Sequence, residues 1–145
     1  MNICKLEVIK LSQPYGRQQA WRFSGGKVDV WNTTLVRLTA EDGSTGLGEI
    51  GDGHFLPDVA ESLANFCARM LKDLSVFDTN LLCDRLYKAG HFWGRRGLAL
   101  GVTAGIETAC WDIQGKLLGQ PVYRLLGGKF RSRLRTYASG GMEQS

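Results

Sequence analysis

The residues best suited to binding a small molecule lie in two segments that have no clear periodic pattern. The first, residues 12–27, combines Tyr15, Arg17, Trp21 and Arg22. Tyrosine and arginine donate hydrogen bonds, and an arginine guanidinium can pair with a carboxylate through two bonds at once. Long irregular segments in compact domains are usually functional or disordered, and the aromatic residues argue against disorder. We therefore predict that residues 12–27 form a functional loop.

The second segment, residues 50–55, is glycine-rich and carries Asp52 and His54. A histidine in such a loop is either a solvated side chain or a ligand contact. The same two interpretations apply to Arg17 and Arg22 in the first segment. Both stay open from the residues alone.

Other chemically capable residues favour structural roles. Glu107 and Asp112 are five positions apart in a helical pattern, a spacing that does not place them closely on one face. We therefore expect structural contacts from them rather than an acid pair. Trp111 falls beside the apolar stripe of that helix and is interpreted as packing. His91 precedes Phe92 and is interpreted as structural or as part of an interface.

The cysteine and histidine content does not favour a structural metal site. The chain has only two histidines and four cysteines, and no two cysteines form a C-x-x-C pair. Because the cysteines lie among apolar neighbours, we expect four buried free thiols. Two disulfides would require an oxidising compartment, which nothing else in the sequence indicates. The four cysteines are Cys4, Cys67, Cys83 and Cys110.

Composition places the chain among ordinary globular domains. Hydrophobic residues make up 43% and charged residues 22% of its 145 residues. No apolar run approaches the roughly 18 residues of a membrane span, and the N-terminus lacks the apolar run of a secretion signal. We expect a cytoplasmic protein without a membrane partner. The net charge of +4 is mild. The basic residues between Arg124 and Arg135 lie in a predicted extended linker and not in a recognised nucleic-acid-binding motif. We therefore expect no nucleic-acid partner.

Hydrophobic periodicity changes from strand-like to helical along the chain. Residues 4–8, 28–39 and 45–50 alternate like strands, although the phase of the first slips after Val8, through a bulge or burial on both sides. A turn at residues 41–44 joins the last two. Helical spacing then begins at Pro57, recurs over residues 78–89, and is clearest from Val102 to Leu117. A final strand is predicted over residues 134–139.

Individual residues extend this prediction. In the second strand, Val28, Val30, Val36 and Leu38 are assigned to one face. The three helical stripes are Val59, Leu63, Phe66 and Met70; Leu82, Leu86 and Ala89; and Val102, Ile106, Ala109, Ile113 and Leu117. Asp78 and Gly90 are expected to cap the second helix, while Gly119 and Pro121 end the third. The predicted fold is α+β, a three-stranded antiparallel meander followed by a three-helix bundle.

Two motifs resemble those of a known family. Residues 105–116 read GIETACWDIQGK and are followed by LLGQPVYRLLGG. Residues 38–49 read LTAEDGSTGLGE. Both resemble the N-terminal capping domain of mandelate racemase / muconate lactonizing-type proteins of the enolase superfamily, in the same order, with Cys110 where the family often has leucine. The resemblance covers residues 3 to about 140.

The resemblance implies a protein of two parts. Residues 1–125 would be the enolase-like capping domain, and residues 126–145 a linker and the first strand of a TIM-type (β/α) barrel. In the family, barrel carboxylates hold Mg²⁺, which stabilises the enediolate formed when a proton is removed next to a carboxylate. Those positions would lie after Ser145. The resemblance therefore assigns no catalytic residue and no metal ligand to this chain.

The resemblance also gives the two irregular segments a role. In the family, two cap loops close over the barrel mouth and help to set substrate specificity, and by position they are residues 12–27 and 50–55. The implied substrate-binding residues are Tyr15, Arg17, Trp21, Arg22, Asp52 and His54.

The implied parent protein is a Mg²⁺-dependent racemase, epimerase or dehydratase acting on a small carboxylate, with a homo-oligomeric assembly. The polar, arginine-bearing first segment favours a sugar acid, with cycloisomerisation and dipeptide epimerisation as alternatives. The chain by itself is expected to be inactive. The alternative hypothesis is a non-catalytic module that binds or dimerises, with an apolar patch at Tyr123, Leu125, Leu126 and Phe130 uncovered.

Overall fold

A sheet on one side and helices on the other make up the fold in the computed structural model, which describes residues 1–16 and 20–138. The antiparallel sheet has the order β1-β4-β5, and β2 and β3 pair as a separate hairpin. This confirms the predicted α+β fold. The strands are β1 Ile3–Pro14, β2 Trp21–Phe23, β3 Gly26–Val28, β4 Val30–Ala40 and β5 Thr45–Glu49; the helices are α1 Pro57–Ala68, α2 Thr79–Ala89, α3 Leu98–Leu118 and α4 Val122–Leu125.

The inner face of the sheet is set by alternation along β4. Val36, Leu38 and Ala40 are buried against the helices, as is Thr34. Val28 and Val30 were expected to share this face, but Val28 belongs to β3 and Val30 is 38% exposed. The alternation is present, yet burial stops at Thr34 because the helical layer does not cover the start of β4.

A bulge in β1 explains the one cysteine that differs from expectation. The register with β4 shifts between Ile3 and Lys5, which leaves Cys4 as the extra residue. Cys4 is exposed, whereas Cys67 and Cys110 are buried, Cys83 is half-buried and all four are free. The prediction of four buried thiols is therefore wrong for Cys4. No bulge follows Val8, because the register with β4 is unbroken from Lys5 to Pro14. Val8 and Ile9 are both half-buried, which agrees with the other interpretation, burial on both sides.

Helix α1 is rotated relative to its predicted face. Its fully buried residues are Ala60, Ala64 and Cys67, while Val59 is 47% exposed. Small alanine side chains allow the helix to approach the core closely, so the larger Leu63, Phe66 and Met70 flank the contact and are partly buried.

Helix α2 follows the prediction at most positions. Leu82 and Leu86 are buried as expected, but Ala89 at the last turn is exposed. Gly90 is its C-cap. Asp78 occupies the N-cap position without a side-chain capping bond; its carbonyl accepts from the Leu82 amide instead.

Helix α3 packs so closely on β5 that only glycine fits between them. A Cβ atom at Gly46 would overlap the Ala109 carbonyl oxygen, and one at Gly48 would overlap that of Gly105. The predicted stripe of α3 is buried at Val102, Ile106, Ala109 and Ile113, while Leu117 is at the surface. The helix ends at Gly119, whose φ of 59° is left-handed.

The chain after α3 leaves the core. Residues Val122–Leu125 form the short helix α4. Residues 134–138 carry no strand, and Ser139, the last residue of the predicted strand, lies outside the described residues. A barrel strand needs barrel neighbours to pair with, so that strand stays a prediction. No helix within residues 1–16 and 20–138 has the length and apolarity to cross a membrane.

Candidate functional site

The first irregular segment is more ordered than predicted. Strand β1 continues to Pro14, and the Tyr15 amide donates a hydrogen bond of 2.7 Å to the Asp29 carbonyl. Residues 21–28 form a hairpin in which Trp21 faces Val28 and Arg22 faces Lys27. The prediction of one continuous loop is therefore wrong here, because a two-residue turn at residues 24–25 lets β2 and β3 pair.

The second irregular segment is a 3₁₀ turn, Gly51–His54, attached to β4. The Thr34 hydroxyl donates to the Gly53 carbonyl at 3.1 Å, and the Asn32 amide group donates to the His54 carbonyl at 3.4 Å. Gly53 is buried against Thr34, where a Cβ atom would come within 2.8 Å of the Thr34 Cβ. The position of the turn is thus fixed by β4 rather than by its own residues.

An aromatic cluster joins the two segments. It consists of Trp21, Phe23, Trp31, His54 and Phe55. Ring centroids are 5.6 Å apart for Trp21 and Phe23, and 6.3 Å apart for Phe23 and Phe55. His54 lies 3.8 Å from Phe55 and stacks on Trp31 at 5.1 Å with an interplanar angle of 13°. The hairpin and the 3₁₀ turn therefore form one continuous surface.

The predicted binding residues occupy different parts of this surface. Trp21 and His54 belong to the aromatic cluster. Arg22 and Asp52 are exposed on the hairpin and the 3₁₀ turn, and Tyr15 is half-buried at the base of the hairpin. Arg17 lies outside the described residues.

Sequence reasoning did not select Trp31 or Phe55. Trp31 lies in β4 rather than in an irregular segment, and Phe55 was treated only as a loop end. The available signal was an aromatic side chain on the exposed face of a strand, where Trp31 is 40% exposed.

Charge is distributed unevenly over the hairpin. Lys27 pairs with Asp29 at 2.7 Å, both on the surface. Arg22, directly across the hairpin, has no acidic side chain within ion-pair distance among the described residues. Its guanidinium is therefore available to an anionic ligand.

The helix that follows the 3₁₀ turn is held to the sheet by surface charges. Lys10 on β1 contacts two carboxylates of α1, Asp58 in its first turn at 2.8 Å and Glu61 at 2.5 Å. The hydrogen bond to Asp58, and then that to Glu61, raise the pKa of the Lys10 amine. Because these groups are solvated, the contact positions α1 more than it stabilises the fold.

Comparison with known proteins decides the family. Residues 6–127 match the family described as "Mandelate racemase / muconate lactonizing enzyme, N-terminal domain". The chain belongs to this family. The resemblance found in its two motifs is thereby confirmed.

Relatives within the family are sugar-acid dehydratases and enolase-superfamily structures. A D-gluconate/D-galactonate dehydratase of Picrophilus torridus is 36% identical over 118 residues, which are 80% of this chain and 30% of the relative. An L-rhamnonate dehydratase of Saccharopolyspora erythraea is 34% identical over 114 residues, 79% of this chain and 28% of the relative. The crystal structure of an enolase-superfamily member from Polaromonas sp. JS666 has a TM-score of 0.81 and 31% identity, covering 97% of this chain and 36% of that one. The chain spans less than a third of the length of the two curated relatives.

The motif that this mandelate racemase-type domain carries on α3 makes structural contacts. Asp112 accepts hydrogen bonds from the Leu47 amide at 2.9 Å and from Lys116 at 2.7 Å. Lys116 also donates to the Thr45 carbonyl at 2.8 Å, so the pair fastens α3 to β5. Glu107 accepts from the Trp111 indole at 3.2 Å. The expected structural roles of Glu107, Trp111 and Asp112 are confirmed.

No metal centre is formed by the described part of this family member. Within residues 1–16 and 20–138, no three His, Cys, Asp or Glu side chains are placed so that they could hold a metal ion. The described residues of this N-terminal domain therefore do not fit a magnesium site, and no chemical step is assigned to a metal on them.

Proposed function

We propose that this chain is the substrate-capping part of an enzyme that removes a proton next to the carboxylate of a sugar acid and eliminates water. The observation that carries the proposal is the aromatic cluster, which joins the hairpin and the 3₁₀ turn into one surface bearing Arg22, Asp52 and His54. Family membership and the sugar-acid dehydratase relatives support the same chemistry.

The side chains on this surface are suited to bind different groups of a sugar acid. Arg22 offers a guanidinium without an acidic partner among the described residues, which can donate hydrogen bonds to the oxygens of a polyhydroxy acid. Asp52 and His54 suit hydroxyl groups, and Tyr15 at the base of the hairpin adds a further hydrogen-bonding group. When such a cap closes, it excludes water and orders the substrate.

The remaining chemistry is proposed to lie in a second domain. Residues 1–125 would form the cap, and residues 126–145 the linker and first strand of a (β/α) barrel. That barrel would supply the proton-transferring bases and the carboxylates for Mg²⁺, which when bound stabilises negative charge developing on the substrate. Loss of the C2 proton and the C3 hydroxyl, together one water, gives an enol, which tautomerises by protonation at C3 to a 2-oxo-3-deoxy acid. The complete protein is proposed to be a homo-oligomer.

The test begins with the intact mass of the natural gene product. A mass well above that of 145 residues, followed by Mg²⁺-dependent conversion of D-gluconate, D-galactonate or L-rhamnonate to a 2-oxo-3-deoxy acid, is the expected result. Purified chain 1–145 is the control, and we expect it to be inactive. A gene product of 145 residues, or a larger one that converts none of these acids, would refute the proposal.

Exposed apolar residues after α3 support a second candidate, a module that associates through this end. Tyr123, Leu126 and Phe130 are 45%, 61% and 91% exposed, and Leu125 is half-buried beside them. In the leading proposal the barrel covers these residues, whereas in the second a partner molecule does. Sedimentation of a 145-residue natural product, compared with its Leu126→Asp variant, distinguishes self-association through this patch from a monomer.

A further inference from the structure

We propose that His54 selects substrates through a hydroxyl group, with its Nε2 atom as the hydrogen-bond acceptor and Trp31 as the positioning residue that holds the ring. This inference rests on the proposed function for the identity of the ligand. Its structural part, the state and orientation of the imidazole, stands on contacts within the chain.

The hydrogen bond at the other ring nitrogen defines the tautomer. His54 Nδ1 lies 2.8 Å from the Gly51 carbonyl oxygen. A carbonyl oxygen only accepts hydrogen bonds, so Nδ1 carries the proton. In the neutral imidazole Nε2 is then left with a lone pair, which makes it an acceptor.

Nε2 is open to a ligand. Nε2 has no hydrogen-bond partner among the described residues. Every buried side-chain nitrogen or oxygen in those residues does have one. The unpaired Nε2 atom is therefore in contact with solvent, although His54 as a whole is half-buried.

The imidazole plane is fixed from two sides. Trp31 stacks on it nearly in parallel, with an interplanar angle of 13°, and the Phe55 ring lies 3.8 Å away. The backbone of His54 is tied to Asn32, and that of the neighbouring Gly53 to Thr34. Because Trp31, Asn32 and Thr34 all belong to β4, the ring is held by the sheet, as an effective binding group requires.

The tautomer determines which part of a sugar acid His54 can bind. A carboxylate oxygen is also an acceptor, so it gains no hydrogen bond from a neutral Nε2. A hydroxyl group can donate to it. We therefore place a hydroxyl group of the substrate, rather than its carboxylate, at His54. A binding site that hydrogen-bonds a hydroxyl discriminates strongly against substrates lacking it, because the acceptor is then left unpaired.

The structural part is tested by nitrogen-15 spectroscopy of the His54 ring in chain 1–145. The apolar core closes within this chain, with Leu38, Leu82 and Ile106 fully buried. We expect the Nδ1–H tautomer to predominate in the neutral ring, to be lost in part in Trp31→Leu, and to be restored in Trp31→Phe. A predominant Nε2–H tautomer in the wild type, or no change in Trp31→Leu, would overturn this part.

The ligand part is tested by kinetics of the complete gene product with D-gluconate, D-galactonate and L-rhamnonate. His54→Asn keeps a donor towards Gly51 but removes the atom at Nε2, and should lower kcat/KM about 10- to 100-fold. His54→Gln places an acceptor near Nε2 and should recover most of that loss. Trp31→Leu should mainly raise KM, and Trp31→Phe should restore it.

The two parts fail in distinguishable ways. If the wild type converts sugar acids and His54→Asn is equally active, the role of His54 is wrong while the proposed function stands. If the wild type converts none of the three acids, the ligand assignment falls with the proposed function. The nitrogen-15 spectra then test the tautomer of the His54 imidazole and the role of Trp31 without any substrate.

Discussion

The backbone of Gly48 on β5 lies directly against the carbonyl oxygen of Gly105 on α3, with no space for a methyl group between them. The atoms that a methyl group on Gly48 would meet belong to the backbone, so they cannot rotate away. We predict that Gly48→Ala forces β5 and α3 apart and lowers the free energy of unfolding by about 1–3 kcal/mol. Urea denaturation of chain 1–145 measures the change.

Gly101 provides the matched control for this substitution. Gly101 lies on α3. A Cβ atom there would be 3.6 Å from its nearest neighbour, the Asp52 amide nitrogen, which is an ordinary van der Waals contact. Alanine also favours a helix over glycine, so Gly101→Ala should leave stability unchanged or raise it by roughly 0.5–1 kcal/mol. Equal losses in the two variants would contradict the close-packing argument.

Thr34 is predicted to hold the 3₁₀ turn through its hydroxyl group. Thr34→Val keeps the shape of the fully buried side chain but leaves the Gly53 carbonyl without its 3.1 Å bond. The expected loss is about 1–2 kcal/mol, with faster amide hydrogen exchange in residues 51–55. Thr33→Val, at a half-buried neighbouring position, is the control and should change neither measurement.

Buried thiols are predicted to make the fold sensitive to alkali. Burial is the main cause that raises the pKa of Cys110 from its ordinary 9.0 to about 12, and it raises that of Cys67 to about 11. Above pH 9.0 the unfolded chain loses these protons while the folded chain keeps them. Stability is therefore fully present below pH 9.0 and falls as the pH rises towards the folded values, by up to about 1.4 kcal/mol per pH unit for each thiol.

The contribution of Cys110 is isolated by comparison with Cys110→Ala across this pH range. The variant loses stability at every pH because a small cavity forms, but its curve should fall less steeply above pH 9.0. Unfolding free energies from urea titrations at each pH provide the two slopes. Parallel curves for the two proteins would show that the thiol does not titrate as predicted.

Arg22 is predicted to donate hydrogen bonds to the substrate in the complete gene product. Arg22→Gln should raise KM for the preferred sugar acid roughly tenfold or more, because hydrogen bonds from a charged donor are lost. Thermal stability should not change, since Arg22 is exposed. Lys27→Gln removes the cation directly across the hairpin, which already pairs with Asp29, and should leave KM near the wild-type value. Similar KM values for both variants would exclude a specific role for Arg22.

Local sequence determined the elements that carry a strong repeating signal. The stripe from Val102 to Ile113 and the stop at Gly119 follow from helical spacing and from the backbone freedom of glycine. The close approach at Gly46 and Gly48 depends on residue type, because a Cβ atom at either position would overlap the backbone of α3. Short elements were harder to predict, because β2 and β3 have only three residues each and too few side chains to show a period.

The sequence by itself determined the α+β class, the family and the two segments that carry the candidate binding residues, because spacing, glycine positions and motifs are local properties. Only the tertiary structure decided how those segments meet. It brought Trp31 of β4 against His54 and oriented the imidazole through Gly51. It also turned Ala60 rather than Val59 towards the core. These arrangements depend on contacts between residues distant in the chain, where packing selects among faces and side-chain orientations that local preference leaves equivalent.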